Sequence, residues 1–161
     1  RKEQSKQEEM KSYIDIVNTF KKICEQHQQV KTFTTGDIFE ADLETQDVFT
    51  KVHLIETSAS INKTTFTFTF DLLVMDLVDA DGSDQNFALN RTFLILADIY
   101  REFRTGSYSS TSAVTQSITM PESLSCEPFT DRFENLLSGW KGTFNITVQA
   151  QNSACETPMN R

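Results

Sequence analysis

The sequence predicts an α+β domain: an antiparallel β-sheet with a long β-hairpin, on which an N-terminal helix and a central helix pack. Three observations carry that reading. Apolar residues recur at steps of three and four near the start of the chain and again over Gln85–Phe103. Between those stretches, Thr65–Phe70 alternates strictly between threonine and phenylalanine. Trp140–Ala150 alternates again near the far end.

The first helix rests on Met10, Tyr13, Ile14, Val17, Phe20 and Cys24, which form one apolar stripe over about Glu3–Gln29. Its opening residues 1–9 are polar and read as an extended segment that frays or reaches a partner. Arg1 is no translation start, and Met10 heads an alternative one, MKSYIDIV. The uncharged run Gln26-His-Gln-Gln reads as the helix end. Val30–Thr34 then alternates as a short strand, and Thr35-Gly36-Asp37 has turn chemistry. Asp37–Asp47 is acidic, with Ile38, Phe39 and Leu43 able to pin a loop or a helical turn to the core.

A strand resumes over Asp47–Glu56, and Asn62-Lys63 suits the turn of a hairpin into the next one. In Thr64–Val78, Phe66, Phe68 and Phe70 face one way and Thr65, Thr67 and Thr69 the other. From Leu72 onward both faces turn apolar, so the strand is expected to be wet on one face early and covered on both later. The loop Asp79–Asp84 leads into a helix over Gln85–Phe103, with Asp84 as its expected N-cap. Phe87, Phe93, Leu94, Ala97, Tyr100 and Phe103 form its stripe, widened by Leu89, Leu96 and Ile99; a helix so apolar is expected to be largely buried. Tyr108–Met120 reads as a strand or an edge extension and Leu124–Phe129 as another strand. Asp131–Leu137 reads as a helical turn punctuated by Gly139. In the last strand Trp140, Phe144, Ile146 and Val148 point inward, and residues 151–161 form a polar tail. No repeat or boundary divides the 161 residues, so a single domain is expected.

Composition narrows the function. The net charge of −8 and a pI near 4.7 argue against a nucleic-acid gripper, which needs clustered Lys and Arg, and against binding to anionic membranes. The 13 phenylalanines argue against disorder. No apolar run is long enough to span a bilayer. The opening residues show no secretory signal, so the triplets at Asn62, Asn90 and Asn145 carry no weight as glycosylation sites. Cys24, Cys126 and Cys155 are odd in number and far apart, which reads as three reduced cysteines.

Little in the chain suggests catalysis, and neither a cofactor nor a metal is expected. His27 and His53 lack a neighbouring nucleophile motif. Glycine occurs five times and never as a phosphate-binding loop. Aligning Gly82 with the EF-hand glycine puts Leu77 and Ala88 at two positions that require oxygen ligands, so the calcium reading fails. The acids Asp37, Glu40, Asp42, Glu44 and Asp47, with Asp79, Asp81 and Asp84, form two clusters. Each is a solvated face, or a ring of negative charge if the chain oligomerises.

Three stretches carry a family likeness. The first is Met10–Asp42, an amphipathic helix ending in an aromatic strand and a Gly-Asp turn. The second is Thr65–Phe103, a long strand, a polar loop and a helix. The third is Glu127–Val148, with Pro128, Phe129, Phe133 and the Gly139-Trp140 pair, followed by Cys155. Together they resemble the tail-terminator and neck-ring proteins of tailed bacteriophages, and the residues before Met10 depart from that pattern. The resemblance implies a virion protein, assembled in the host cytoplasm. It would form a homo-oligomeric ring, commonly a hexamer, that ends the tail tube and joins it to neck and connector proteins. Six copies at −8 would carry −48, and an acidic lumen would let DNA slide through unbound. Thr65, Thr67 and Thr69, and the Ser/Thr-rich Tyr108–Gln116, are polar surfaces suited to contacts between subunits, or plain solvent faces. The alternative function is a small soluble module that binds a protein or ligand without catalysis.

Overall fold

The computed structural model describes residues 13–37, 48–79, 81–105, 118–132 and 136–150. Its elements are α1 (Tyr13–Gln26), β1 (Thr32–Thr35), β2 (Lys51–Ile61), β3 (Thr65–Leu77), α2 (Gln85–Thr105), β4 (Ile118–Thr119), β5 (Ser125–Arg132) and β6 (Leu137–Gln149). The strands form one sheet in the order β1-β2-β3-β6-β4, with β5 also paired to β6. This is the predicted α+β class, with both helices on one face of the sheet.

The long hairpin is as expected. Asn62 N–H donates to the Thr65 carbonyl at 2.8 Å, and β2 pairs antiparallel with β3 from Lys51↔Met75 to Ile61↔Phe66. β3 pairs with β6 along its whole length, Thr65↔Gln149 to Leu77↔Leu137. One pairing differs from an antiparallel sheet: β1 runs parallel to β2, Thr32↔Lys51 to Thr35↔Leu54. The connection from Gly36 to Thr50 permits it, because it reaches the dozen or so residues that a parallel crossover needs.

Strand alternation sets the two faces. Phe70, Leu72 and Val74 of β3 and Phe144, Ile146 and Val148 of β6 are buried beneath the helices. Val52 and Leu54 join them from β2. From α1 come Ile16, Phe20, Ile23 and Cys24; from α2 come Ile95, Leu96, Ile99 and Phe103. Aromatic rings hold the centre: Phe20 lies 4.7 Å from Phe103, 5.1 Å from Phe144 and 5.7 Å from Phe70, centroid to centroid. Trp140 donates its indole N–H to the Leu89 carbonyl at 2.9 Å and so ties α2 to β6. A smaller cluster, Leu73, Met75, Phe129 and Leu137, covers the opposite face at the far end of β3.

Several expectations need correction. α1 ends at Gln26, short of Gln29, and residues 1–12 and 151–161 lie outside those described. β2 starts at Lys51 and continues to Ile61, past the predicted Glu56. Of the expected Tyr108–Met120 strand, residues 118–120 are described, and Ile118–Thr119 form β4. The predicted helical turn at Asp131–Leu137 is replaced at both ends by strand: β5 runs to Arg132 and β6 begins at Leu137. Gly139 is therefore no punctuation. It lies inside β6 opposite Met75, where a Cβ would fall 1.8 Å from the Val74 carbonyl oxygen.

α2 holds the largest correction. Its buried residues are Ala88, Thr92, Ile95, Leu96, Ile99 and Phe103. Phe87, Phe93 and Leu94, read from the sequence as core, are 76%, 41% and 53% exposed. Apolar residues surround most of this helix, and periodicity alone could not choose which side meets the sheet.

Candidate functional site

The feature best placed for interaction is the arm formed by the β2–β3 hairpin and the end of β6. β1 flanks β2 only over Lys51–Leu54. Beyond it, among the described residues, no strand lies along the outer edge of β2 from Ile55 to Ile61. Residues Glu56–Ile61 are exposed, and Ile61 at the tip is 83% exposed. A strand edge of this kind presents unpaired N–H and C=O groups and is a template for pairing with another chain. The register shifts between Glu56 and Ser58, and Thr57 Oγ1 donates to the Thr69 carbonyl at 2.9 Å. Such a bulge adds twist to the edge.

Beside the edge lies a hollow of about 300 Å3, floored by Tyr13, Phe68 and Phe70 and bordered by Glu56–Ala59. Tyr13 stacks on Phe70 at 5.9 Å. Burial raises the Tyr13 hydroxyl to a pKa of about 12, aided by its hydrogen bond to Glu56 and the charge of that carboxylate.

The other face of the arm carries the threonines. Thr67 Oγ1 lies 2.9 Å from Thr147 Oγ1, and Thr69 donates to Asn145 Oδ1 at 2.8 Å. Thr143 donates to Asp71 Oδ1 at 3.0 Å and continues the row. Thr65 stands opposite Gln149 at its end. Thr65, Thr67 and Thr69 are thus partly exposed on one face, and the hydroxyls of Thr67 and Thr69 already have partners within the sheet.

The structure does not bring the described acids of the two clusters together. Glu40, Asp42, Glu44 and Asp47 lie outside the described residues. Asp37 is exposed just beyond β1, whose Thr35 is level with Leu54 and Leu72. Asp79 follows Leu77, five residues farther down β3, or ~17 Å at the rise of a strand. Asp79, Asp81 and Asp84 form a compact loop. Asp79 N–H donates to Asp84 Oδ1 at 2.9 Å, and Ser83 N–H to Asp81 Oδ1 at 3.0 Å. The Ser83 amide and then its hydroxyl hold Asp81 below the usual carboxylate range. Asp84 occupies the expected cap position, and its carbonyl accepts from Ala88 N–H at 3.0 Å. Its carboxylate, however, binds the Asp79 amide and closes the loop.

Two histidine arrangements were not legible in the sequence. His27 Nε2–H donates to Asp98 Oδ2 at 3.0 Å, while Nδ1 accepts from Gln29 N–H at 3.1 Å. This pair borders a groove of about 510 Å3 between the end of α1 and α2. Both ring nitrogens are engaged, so the imidazole clamps the end of α1 to α2. His53 is fully buried; Nδ1 lies 2.6 Å from Thr34 Oγ1, and Nε2–H donates to the Asp37 carbonyl at 2.9 Å. It fastens β1 and the following turn to β2. The partners lie far apart in the chain, so no local motif marks them.

Among the described residues, no group of three or more His, Cys, Asp or Glu side chains is arranged to hold a metal ion. No described helix is long and apolar enough to cross a membrane. No protein-family model and no curated protein sequence matches the chain.

Proposed function

We propose that this chain is a structural subunit of a tailed-phage virion that assembles as a homo-oligomeric ring, a hexamer, at the head–tail junction. The ring ends the tail tube and joins it to neck and connector proteins, and DNA passes through it unbound. The observation that carries this reading is the projecting arm, with the unflanked β2 edge from Ile55 to Ile61. A bare strand edge is a template on which another chain can pair, and contacts of this kind made head to tail close into a ring when the rotation permits. The resemblance of the three sequence stretches supplies the biological setting, and the net charge of −8 per copy suits a channel that repels DNA.

Light scattering and negative-stain microscopy test this reading, on the chain alone and mixed with tail tubes. The expected outcome is a ring with a central channel, free or capping the tube. A monomer that leaves tail tubes unbound overturns it.

A further inference from the structure

Besides Ile14 on α1, Val48 before β2 and Leu77 on the far face of β3, exposed apolar residues stand at two opposite ends of the molecule. At one end is Ile61, the tip of the hairpin, 83% exposed and followed by Asn62 and Lys63. At the other end, α2 presents Phe87 at 76% and Leu94 at 53% exposure. At 3.6 residues per turn, Phe87, Arg91 and Leu94 fall within roughly 60° of the helix circumference. Arg91 pairs with Asp76, which has the helix-facing parity of Leu72 and Val74, so the helix stripe stands over the end of β3.

The two ends are not within reach of each other. Ile61 pairs with Phe66, eleven residues before Leu77 along β3, a separation of ~36 Å at the rise of a strand. One copy cannot cover its own patch with its own tip. The ends also differ in charge. Lys63 adjoins the tip, whereas Asp81 and Asp84 head the helix just before Phe87. An apolar residue beside a cation at one end thus matches an apolar patch beside carboxylates at the other.

We infer that the occupant of the Phe87–Leu94 patch is the Ile61 hairpin tip of a second copy of this chain. The contact is heterologous, each copy giving its tip to one neighbour and its patch to the other, the form that rings require. The inference rests on the ring reading and names the surfaces that would join its subunits.

Disulfide trapping tests it on the full chain. Ile61→Cys and Phe87→Cys are combined in a background with Cys126→Ser and Cys155→Ser; Cys24 is retained because it is buried. Both sites are exposed, so folding is preserved. Mild oxidation is expected to give a ladder of cross-linked multimers up to the size of the ring, and each single-site variant nothing beyond a dimer. Separately, Ile61→Asp is expected to lower the assembled fraction at fixed concentration by about tenfold, the loss of one modest apolar contact, with an unchanged melting temperature. If rings form by light scattering yet the double variant gives no ladder, the inference fails and the ring reading stands. If the unsubstituted chain does not assemble with itself or on tail tubes, both fail.

Discussion

β3 passes through two environments, and its two halves stabilise the fold by different means. From Phe70 to Asp76 every residue but one is buried, with Leu72 and Val74 under the helices and Leu73 and Met75 under Phe129 and Leu137. From Thr65 to Thr69 every residue is only partly covered. Here Phe66 and Phe68 lean on the edge of the core while threonines pair with Thr147 and Asn145 across the strand. The backbone ladder to β6 is continuous through both halves. What differs is the layer above and below. Removing a buried apolar side chain costs roughly 2–5 kcal/mol, whereas an exposed cross-strand pair contributes roughly 0.2–1 kcal/mol. One half therefore holds the fold, and the other can tolerate the substitutions that a contact surface demands.

Gly139 gives the sharpest way to break the covered half. An alanine there would place its Cβ 1.8 Å from the Val74 carbonyl oxygen and 3.1 Å from the Phe129 ring. The first obstacle is backbone, which a rotamer change cannot relieve, so β3 and β6 must separate. Gly139→Ala is expected to cost about 3 kcal/mol, the upper end of ordinary overpacking, read as a lower urea midpoint. Gly142 is the control. Its added Cβ would meet only the ends of Leu96 and Leu124, at 3.0 and 3.1 Å, so Gly142→Ala should cost about 1 kcal/mol. Equal losses at the two sites would show that the strands are not locked at Gly139.

The same contrast explains what the sequence reveals. Alternation in Thr65–Phe70 and Trp140–Val148 specifies which side chains share a face, and the faces are as read. The shift to apolar residues on both faces after Leu72 marks where the second layer begins. Periodicity cannot say whether a neighbour covers a given face, and Phe87 and Leu94 are exposed for that reason. Nor does it encode strand direction, so the parallel β1 was not legible. The arm was legible as a hairpin, but its bare edge depends on where β1 stops, a tertiary fact. The His27–Asp98 clamp joins residues 71 apart in the chain and has no local signature.

Cys24 probes the covered region through pH. Burial, and secondarily Glu25, raise its thiol from 9.0 to about 12. The folded state thus keeps a proton that the unfolded state releases. Stability from this group is complete below pH 9 and is lost as pH rises toward 12. At pH 10 the loss is about 1.4 kcal/mol, one decade above the unfolded value. Denaturant curves at pH 8 and pH 10 should show this loss in the native chain and a smaller one in Cys24→Ala. A pH dependence identical in the two would mean that the thiol ionises freely in the folded state.

The smallest expected effect lies on the arm. Thr67→Val keeps the branched shape that suits a strand and removes only the hydroxyl that meets Thr147 at 2.9 Å. Thr147 is partly exposed, so water can replace the lost partner, and the cost should be about 0.5 kcal/mol. A cycle with Thr147→Val isolates the pair, with a coupling expected near 0.5 kcal/mol in urea unfolding. A coupling above about 2 kcal/mol would place the pair in a dry environment and make the arm a second core. A small coupling leaves the threonine face of the arm stabilised chiefly by its backbone ladder, so side chains there can change with little loss of the fold, whereas Ile146 and Val148 on the other face belong to the core.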